Sequence, residues 1–173
     1  EPGEVMLTFD DGPMRSHTRA VLKALADQCT KATFFMVGRM AVAAPDMVKE
    51  VADAGHTVGS HTWSHKNLGV LGITRGRQEV EAAISAVTAA GYKPLAPFFR
   101  YPYLSGSKTV DAYTRMRDIA TFWIDIDSKD YTTRDPNSVI RRVMTQLEQK
   151  GKGIVLMHDI QISTVRALPR LLE

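Results

Sequence analysis

The sequence predicts an α/β fold in which helices pack outside a parallel sheet. Two observations carry that reading. Short apolar runs of strand length alternate with amphipathic stretches of helix length along the chain. The acids, histidines and an arginine that stand out sit where those apolar runs end, the place where parallel α/β folds gather function. A closed barrel and an open doubly wound sheet both satisfy this pattern.

The elements follow in order. Residues 5–10 (VMLTFD) read as a buried strand. Thr18 then caps a helix that carries Val21, Leu22 and Leu25 on one face. Residues 31–37 (KATFFMV) are a second strand. Pro45 suits a first helical turn, Val48, Val51 and Ala52 face inward, and Gly55 ends that helix. Residues 56–60 form a short third strand, and residues 74–90 a longer helix with Val80, Ile84 and Val87 at helical spacing before Gly91. Residues 96–101 are a fourth strand, 107–117 a helix, and 119–126 a fifth strand with Phe122 and Trp123 as core residues. Asp135-Pro136 opens a helix with Val139, Ile140, Val143 and Leu147 on one face. Residues 153–157 (GIVLM) are a sixth strand, and 163–172 a last helix that Pro169 distorts or restarts. No linker, repeat or composition shift interrupts the chain, so one domain over residues 1–173 is expected.

Composition excludes several classes. The chain has 173 residues, 44% hydrophobic and 24% charged, the profile of a folded globular domain rather than a disordered one. Its longest apolar run, residues 40–44, is far short of the roughly 20 residues of a membrane span. The net charge of +3 is scattered, with no basic stripe interleaved with aromatics, so nucleic acid is not an expected partner. The single cysteine, Cys29, cannot form an intrachain disulfide and reads as a surface or semi-buried small residue at a helix end. No secretory leader opens the sequence, so any targeting segment is expected to lie outside it.

The strand ends carry the chemistry. Asp10-Asp11 end the first strand, His61 and His65 follow the third, Arg100 ends the fourth, Asp125, Asp127 and Asp130 follow the fifth, and His158-Asp159 end the sixth. Histidines at i and i+4 lie on one helical face, close enough to share an ion. Two histidines and one aspartate leave an open corner for water, the pattern of a catalytic metal site. Adjacent carboxylates repel, a cost that makes sense when one binds a cation and the other acts as a base; a plain acidic turn before Gly12-Pro13 is the alternative. A structural metal module would instead need a fourth protein ligand, and no obvious one is found, Asp125 and Asp127 being the candidates to reach. His17 and His56 read as structural or solvated, and Trp63 as either a site wall or packing.

TFDDGP (8–13), HTWSH (61–65), RYPY (100–103), DSKDY (127–131) and LMHD (156–159) resemble, in order, the five motifs of NodB-type polysaccharide deacetylases, carbohydrate esterase family four. The resemblance runs over nearly the whole chain. It implies a distorted, incomplete (β/α) barrel of about seven parallel strands. It implies that Asp11, His61 and His65 bind a divalent metal, zinc first, with cobalt, nickel or manganese as alternatives. Asp10 would be the general base, paired with and oriented by Arg100. The backbone N–H of Tyr103 would help hold an oxyanion, His158 would be the general acid, and Asp130 would orient it. Tyr131, Leu156 and Pro102 would line the substrate pocket. The implied reaction is removal of N-acetyl groups from a glycan containing N-acetylglucosamine, with O-acetyl esterase activity on acetylated xylan as the alternative. The implied protein is a periplasmic or secreted monomer. Tyr131 stands where the family has Trp, Tyr101 where a second Pro is common, and Leu104 where Gly is common. The family's closing strand is not found after residue 172, so a shortened chain is expected.

Overall fold

Alternation along β1 (Val5–Asp10) sorts polarity between two faces. Phe9 joins an apolar cluster with Val21 and Leu25, whereas Thr8 and Asp10 point the other way and both accept hydrogen bonds from Arg100. The computed structural model describes residues 3–91 and 95–173. Its other strands are β2 (Thr33–Met36), β3 (Thr57–Ser60), β4 (Phe98–Phe99), β5 (Ala120–Thr121), β6 (Ile126–Asp127) and β7 (Gly153–His158). The helices are α1 (Arg15–Asp27), α2 (Gly38–Ala43), α3 (Pro45–Asp53), α4 (Ile73–Gly91), α5 (Lys108–Met116), α6 (Pro136–Lys150) and α7 (Ile162–Leu172).

All seven strands are parallel and lie in one sheet in the order β5-β4-β3-β2-β1-β7-β6. Two strands separate β4 from β1, about 14 Å on a flat sheet. Arg100, one residue past β4, nevertheless places Nη1 2.8 Å from Asp10 Oδ1. The sheet is therefore curled, with Thr8, Asp10 and Arg100 inside it and the helices outside, in the expected incomplete barrel. Its two edges, β5 and β6, are consecutive in the chain and joined by residues 122–125. The barrel is thus bridged by covalent chain where no strand ladder closes it.

That bridge corrects the fifth strand. The apolar run at 119–126 is not one strand but two short ones at opposite edges of the sheet. An apolar run looks the same whether it continues along one edge or crosses a gap. Trp123, expected in the core, is 47% exposed because it stands in the crossing segment. Asp125, expected at the functional end, accepts the Ile154 N–H at the amino end of β7 and so lies at the other end of the barrel.

Smaller differences have local causes. Thr18 does not cap α1 but sits inside it, accepting the Met14 N–H and donating to Asp159. Helix α2 was not expected, since its run of small residues between a strand and Pro45 carries little periodic signal. Asp135 caps α6 as expected, accepting from the N–H groups of Asn137 and Ser138, and Gly151 ends it at φ 69°. Pro169 lies within α7 without ending it. Cys29 is exposed. No helix among the described residues is long and apolar enough to cross a membrane.

Candidate active site

Register brings the reactive groups together. Asp10 and His158 are paired neighbours on β1 and β7, so both side chains leave the same end of the sheet. His61 follows the last residue of β3, and Arg100 follows β4. Asp10, Asp11, His61, His65, Tyr101, Tyr103, Leu104, Asp127, Tyr131, Leu156 and His158 line one cavity of about 420 Å³.

Asp11, with φ 75°, turns its carboxylate to the two histidines. Its Oδ1 is 3.1 Å from His65 Nε2 and 3.5 Å from His61 Nε2, and the three candidate ligand atoms lie within 4.8 Å of one another. Ligands about 2.1 Å from a tetrahedral ion stand about 3.4 Å apart, so the spacing fits a small dication. The donor chemistry fits too. His61 Nδ1 lies 2.8 Å from the Arg100 carbonyl, which can only accept; Nδ1 therefore carries the proton and Nε2 offers its lone pair to the cluster. Burial holds the His61 imidazole below its usual pKa, against the pull of Asp10 and Asp11, which favours that neutral form. Asp11 Oδ1 is buried without a hydrogen bond, an orphaned acceptor that a cation would satisfy. Burial pushes the Asp11 carboxyl up, but contact with His65 and the fields of the surrounding histidines bring its pKa down overall.

The histidine pair is not on a helix, contrary to the simplest reading of its spacing. Thr62 (φ 65°) and His65 (φ 56°) are left-handed. The intervening turn is tied down instead. Amides at the start of α2 (Gly38 and Arg39) bond the Thr62 and Trp63 carbonyls, each at 3.0 Å. The Thr62 hydroxyl accepts the His65 N–H, and Glu79 of α4 accepts both the Ser64 N–H at 2.8 Å and its hydroxyl at 2.6 Å. Glu79 escaped the sequence reading because it sits in an ordinary polar position of a helix. Trp63 packs onto Gly38, where a Cβ would come within 2.7 Å of its ring, and is not among the cavity-lining residues.

Asp10 is fixed from below. Arg100, fully buried, donates to Asp10 Oδ1 and to Thr8 Oγ1, reaches the Trp123 carbonyl at 3.3 Å, and lies 4.3 Å over the Phe35 ring. The free oxygen, Asp10 Oδ2, faces His61 Nε2 at 3.8 Å.

Across the cavity, fully buried Asp130 holds His158 with both oxygens. Oδ1 takes His158 Nδ1 at 2.7 Å, and Oδ2 takes the His158 N–H at 2.7 Å and the Thr164 hydroxyl. His158 Nε2 is left facing Asp11 Oδ2 at 3.9 Å. Burial alone would lower the His158 pKa, but Asp130 and the nearby Asp11 and Asp10 raise it to about 9. The neighbouring Asp159 is also fully buried, and burial pushes it up to about 7. Its Oδ2 accepts the Thr18 hydroxyl while Oδ1 has no partner. A Cβ on Gly12 would come 2.3 Å from that Oδ1.

The remaining expected residues divide. Tyr131 and Leu156 line the cavity beside His158, the Tyr131 ring standing edge-on to it at 5.5 Å. Tyr103 is 68% exposed and packs its ring against His65 at 4.8 Å. Pro102 is buried in the 3₁₀ turn 102–104 and does not itself line the cavity; the ring lacks the reach that Tyr103 and Leu104 have from the same turn. His56 is buried, accepts the Ala32 N–H, and is held down to about 4 by burial, while His17 Nδ1 meets the Ile160 carbonyl; both are structural. Of the two candidates for a fourth ligand, Asp125 is at the wrong end. Asp127 spends its oxygens on the Lys129 N–H and the Tyr131 hydroxyl.

Comparison with known proteins places this arrangement. The family model described as polysaccharide deacetylase matches residues 1–121. The chain is 35% identical over 169 residues to the peptidoglycan-N-acetylglucosamine deacetylase PgdA of Listeria monocytogenes, covering 95% of this chain and 34% of that protein. Among solved structures, a Bdellovibrio bacteriovorus peptidoglycan deacetylase superposes with TM-score 0.92 and 35% identity, over 99% of this chain and 49% of that one. A family 4 carbohydrate esterase from Streptomyces lividans, in complex with acetate, gives TM-score 0.88 at 29% identity, over 98% and 86%.

Proposed function

Because this chain belongs to the polysaccharide deacetylase family, we propose that it hydrolyses N-acetyl groups on a glycan containing N-acetylglucosamine, releasing acetate and a free amine. The observation that carries this reading is one cavity in which the open-cornered Asp11–His61–His65 cluster has Asp10 on one side and His158 on the other. Peptidoglycan is the substrate class by likeness to the Listeria deacetylase, and chitin-like chains join it because they carry the same N-acetylglucosamine units. The chain spans about a third of that relative's length, so substrate choice rests here on the site. Such polymers lie outside the cytoplasm, and the proposed location follows them.

Asp11, His61 and His65 would hold a divalent cation, zinc by donor type, which when bound polarises the acetyl carbonyl and makes a water acidic. Asp10 accepts the proton of the attacking water through Oδ2, while Arg100 keeps Oδ1 occupied and the carboxylate aimed. The Tyr103 amide is assigned to the oxyanion, a role worth roughly 3 kcal/mol for one such donor. His158 delivers its proton to the departing amine, otherwise a very poor leaving group. Tyr131 and Leu156 give the acetyl methyl an apolar wall. Acetate release from chito-oligosaccharides should vanish on chelation and return with Zn²⁺ or Co²⁺. Full turnover by metal-stripped protein, or release from acetylated xylan alone, would overturn the reading.

The acid can be tested separately. A folded pKa near 9, above the usual 6.5, means the His158–Asp130 pair stabilises the fold fully below about pH 6.5. That contribution fades as pH rises through 9, and so does the capacity to donate. In the metal-free protein the His158 imidazole should titrate near 9 by NMR, and Asp130→Asn should move it down by at least one unit. The alkaline limb of kcat should move the same way. An unshifted titration would remove Asp130 from its role.

A further inference from the structure

Among the described residues the exposed large aromatic side chains are Tyr103, Trp123 and Tyr131. Tyr103 and Tyr131 line the cavity; Trp123 has no part in the chemistry above. It stands two residues past β5, at the start of the segment that crosses to β6, and its contacts with Tyr101 and Gly106 set it beside the loop that carries the cavity-lining Tyr103 and Leu104. Its indole stacks on the Tyr101 ring, 6.0 Å between centroids at 27°, and Tyr101 itself lines the cavity. Tyr101 is pinned by its hydroxyl, which donates to Asp111 at 2.8 Å. The Trp123 carbonyl is held by Arg100. Gly106, two residues beyond the cavity-lining Leu104, passes the indole edge without a side chain; a Cβ there would come 3.2 Å from Cη2. The result is a flat apolar plate, nearly half exposed and backed by the buried Tyr101 that lies between it and the cavity.

We propose that Trp123 is a stacking platform for a second sugar ring of the same glycan, adjoining the ring whose acetyl group is hydrolysed. This rests on the deacetylase reading and adds a preference for chain length. A pyranose suits the plate because one face of the ring presents C–H groups while its hydroxyls stay in water, and aromatic faces reward such flat apolar contact.

The test compares kcat/KM for acetate release from the fully acetylated chitin dimer and pentamer. Trp123→Ala should lower the pentamer-to-dimer ratio about three- to tenfold, and Trp123→Phe, which keeps a flat ring, should restore most of it. A ratio unchanged in Trp123→Ala overturns the proposal. So does an equal loss on both substrates with a lowered Tm, which marks a packing role. Wild-type protein that releases acetate from neither substrate overturns the deacetylase reading itself, a different failure.

Discussion

Asp10→Asn should lower kcat by about two to four orders of magnitude, the usual worth of a positioned general base, while leaving bound metal near one equivalent. Asparagine keeps the shape and can still accept from Arg100, but it cannot take a proton from water. The substitution also leaves the fully buried Arg100 guanidinium without its counter-ion, a loss of about 3–5 kcal/mol where no group compensates. Activity and metal content should therefore be measured together with a thermal melt, below the variant's Tm. Near wild-type turnover in a folded, metal-loaded Asp10→Asn protein would reassign the base.

Gly12→Ala should destabilise the fold by about 3 kcal/mol or more, the upper range for overpacking a tight interior. At this chain length that is a fall in Tm of roughly 6–12 °C. The added methyl would press on Asp159 Oδ1, and that carboxylate has no room to retreat, being fully buried and held by Thr18. Because Gly12 follows Asp11, surviving protein should bind metal more weakly. A Gly12→Ala protein with unchanged Tm would mean that Asp159 moves freely beneath the turn.

Much of the site was legible in the chain because its chemistry is local. Asp10-Asp11, the histidine pair, Arg100 and His158 each end or closely follow an apolar run, and parallel strands carry such ends to one face. What stayed hidden depends on contacts distant in sequence. Glu79 is one polar residue among many on α4 until Ser64 is seen beside it. Asp159 stands with the other acids at the strand ends until its carboxylate is found turned against Thr18 and Gly12.

Residue type and spacing were enough for the strand–helix alternation, the family likeness and the choice of candidate groups, since each of these is written in short windows of chain. Curvature was not. A run such as 119–126 obeys the same apolar pattern whether it forms one strand or bridges the open sides of a curled sheet, and only the pairing of β5 with β4 and of β6 with β7 separates the two. That curl carries Arg100 across the interior to Asp10, sends Asp125 to the far end and leaves Trp123 in solvent, because hydrogen-bond ladders between distant segments, rather than side-chain preference, set where each strand lies.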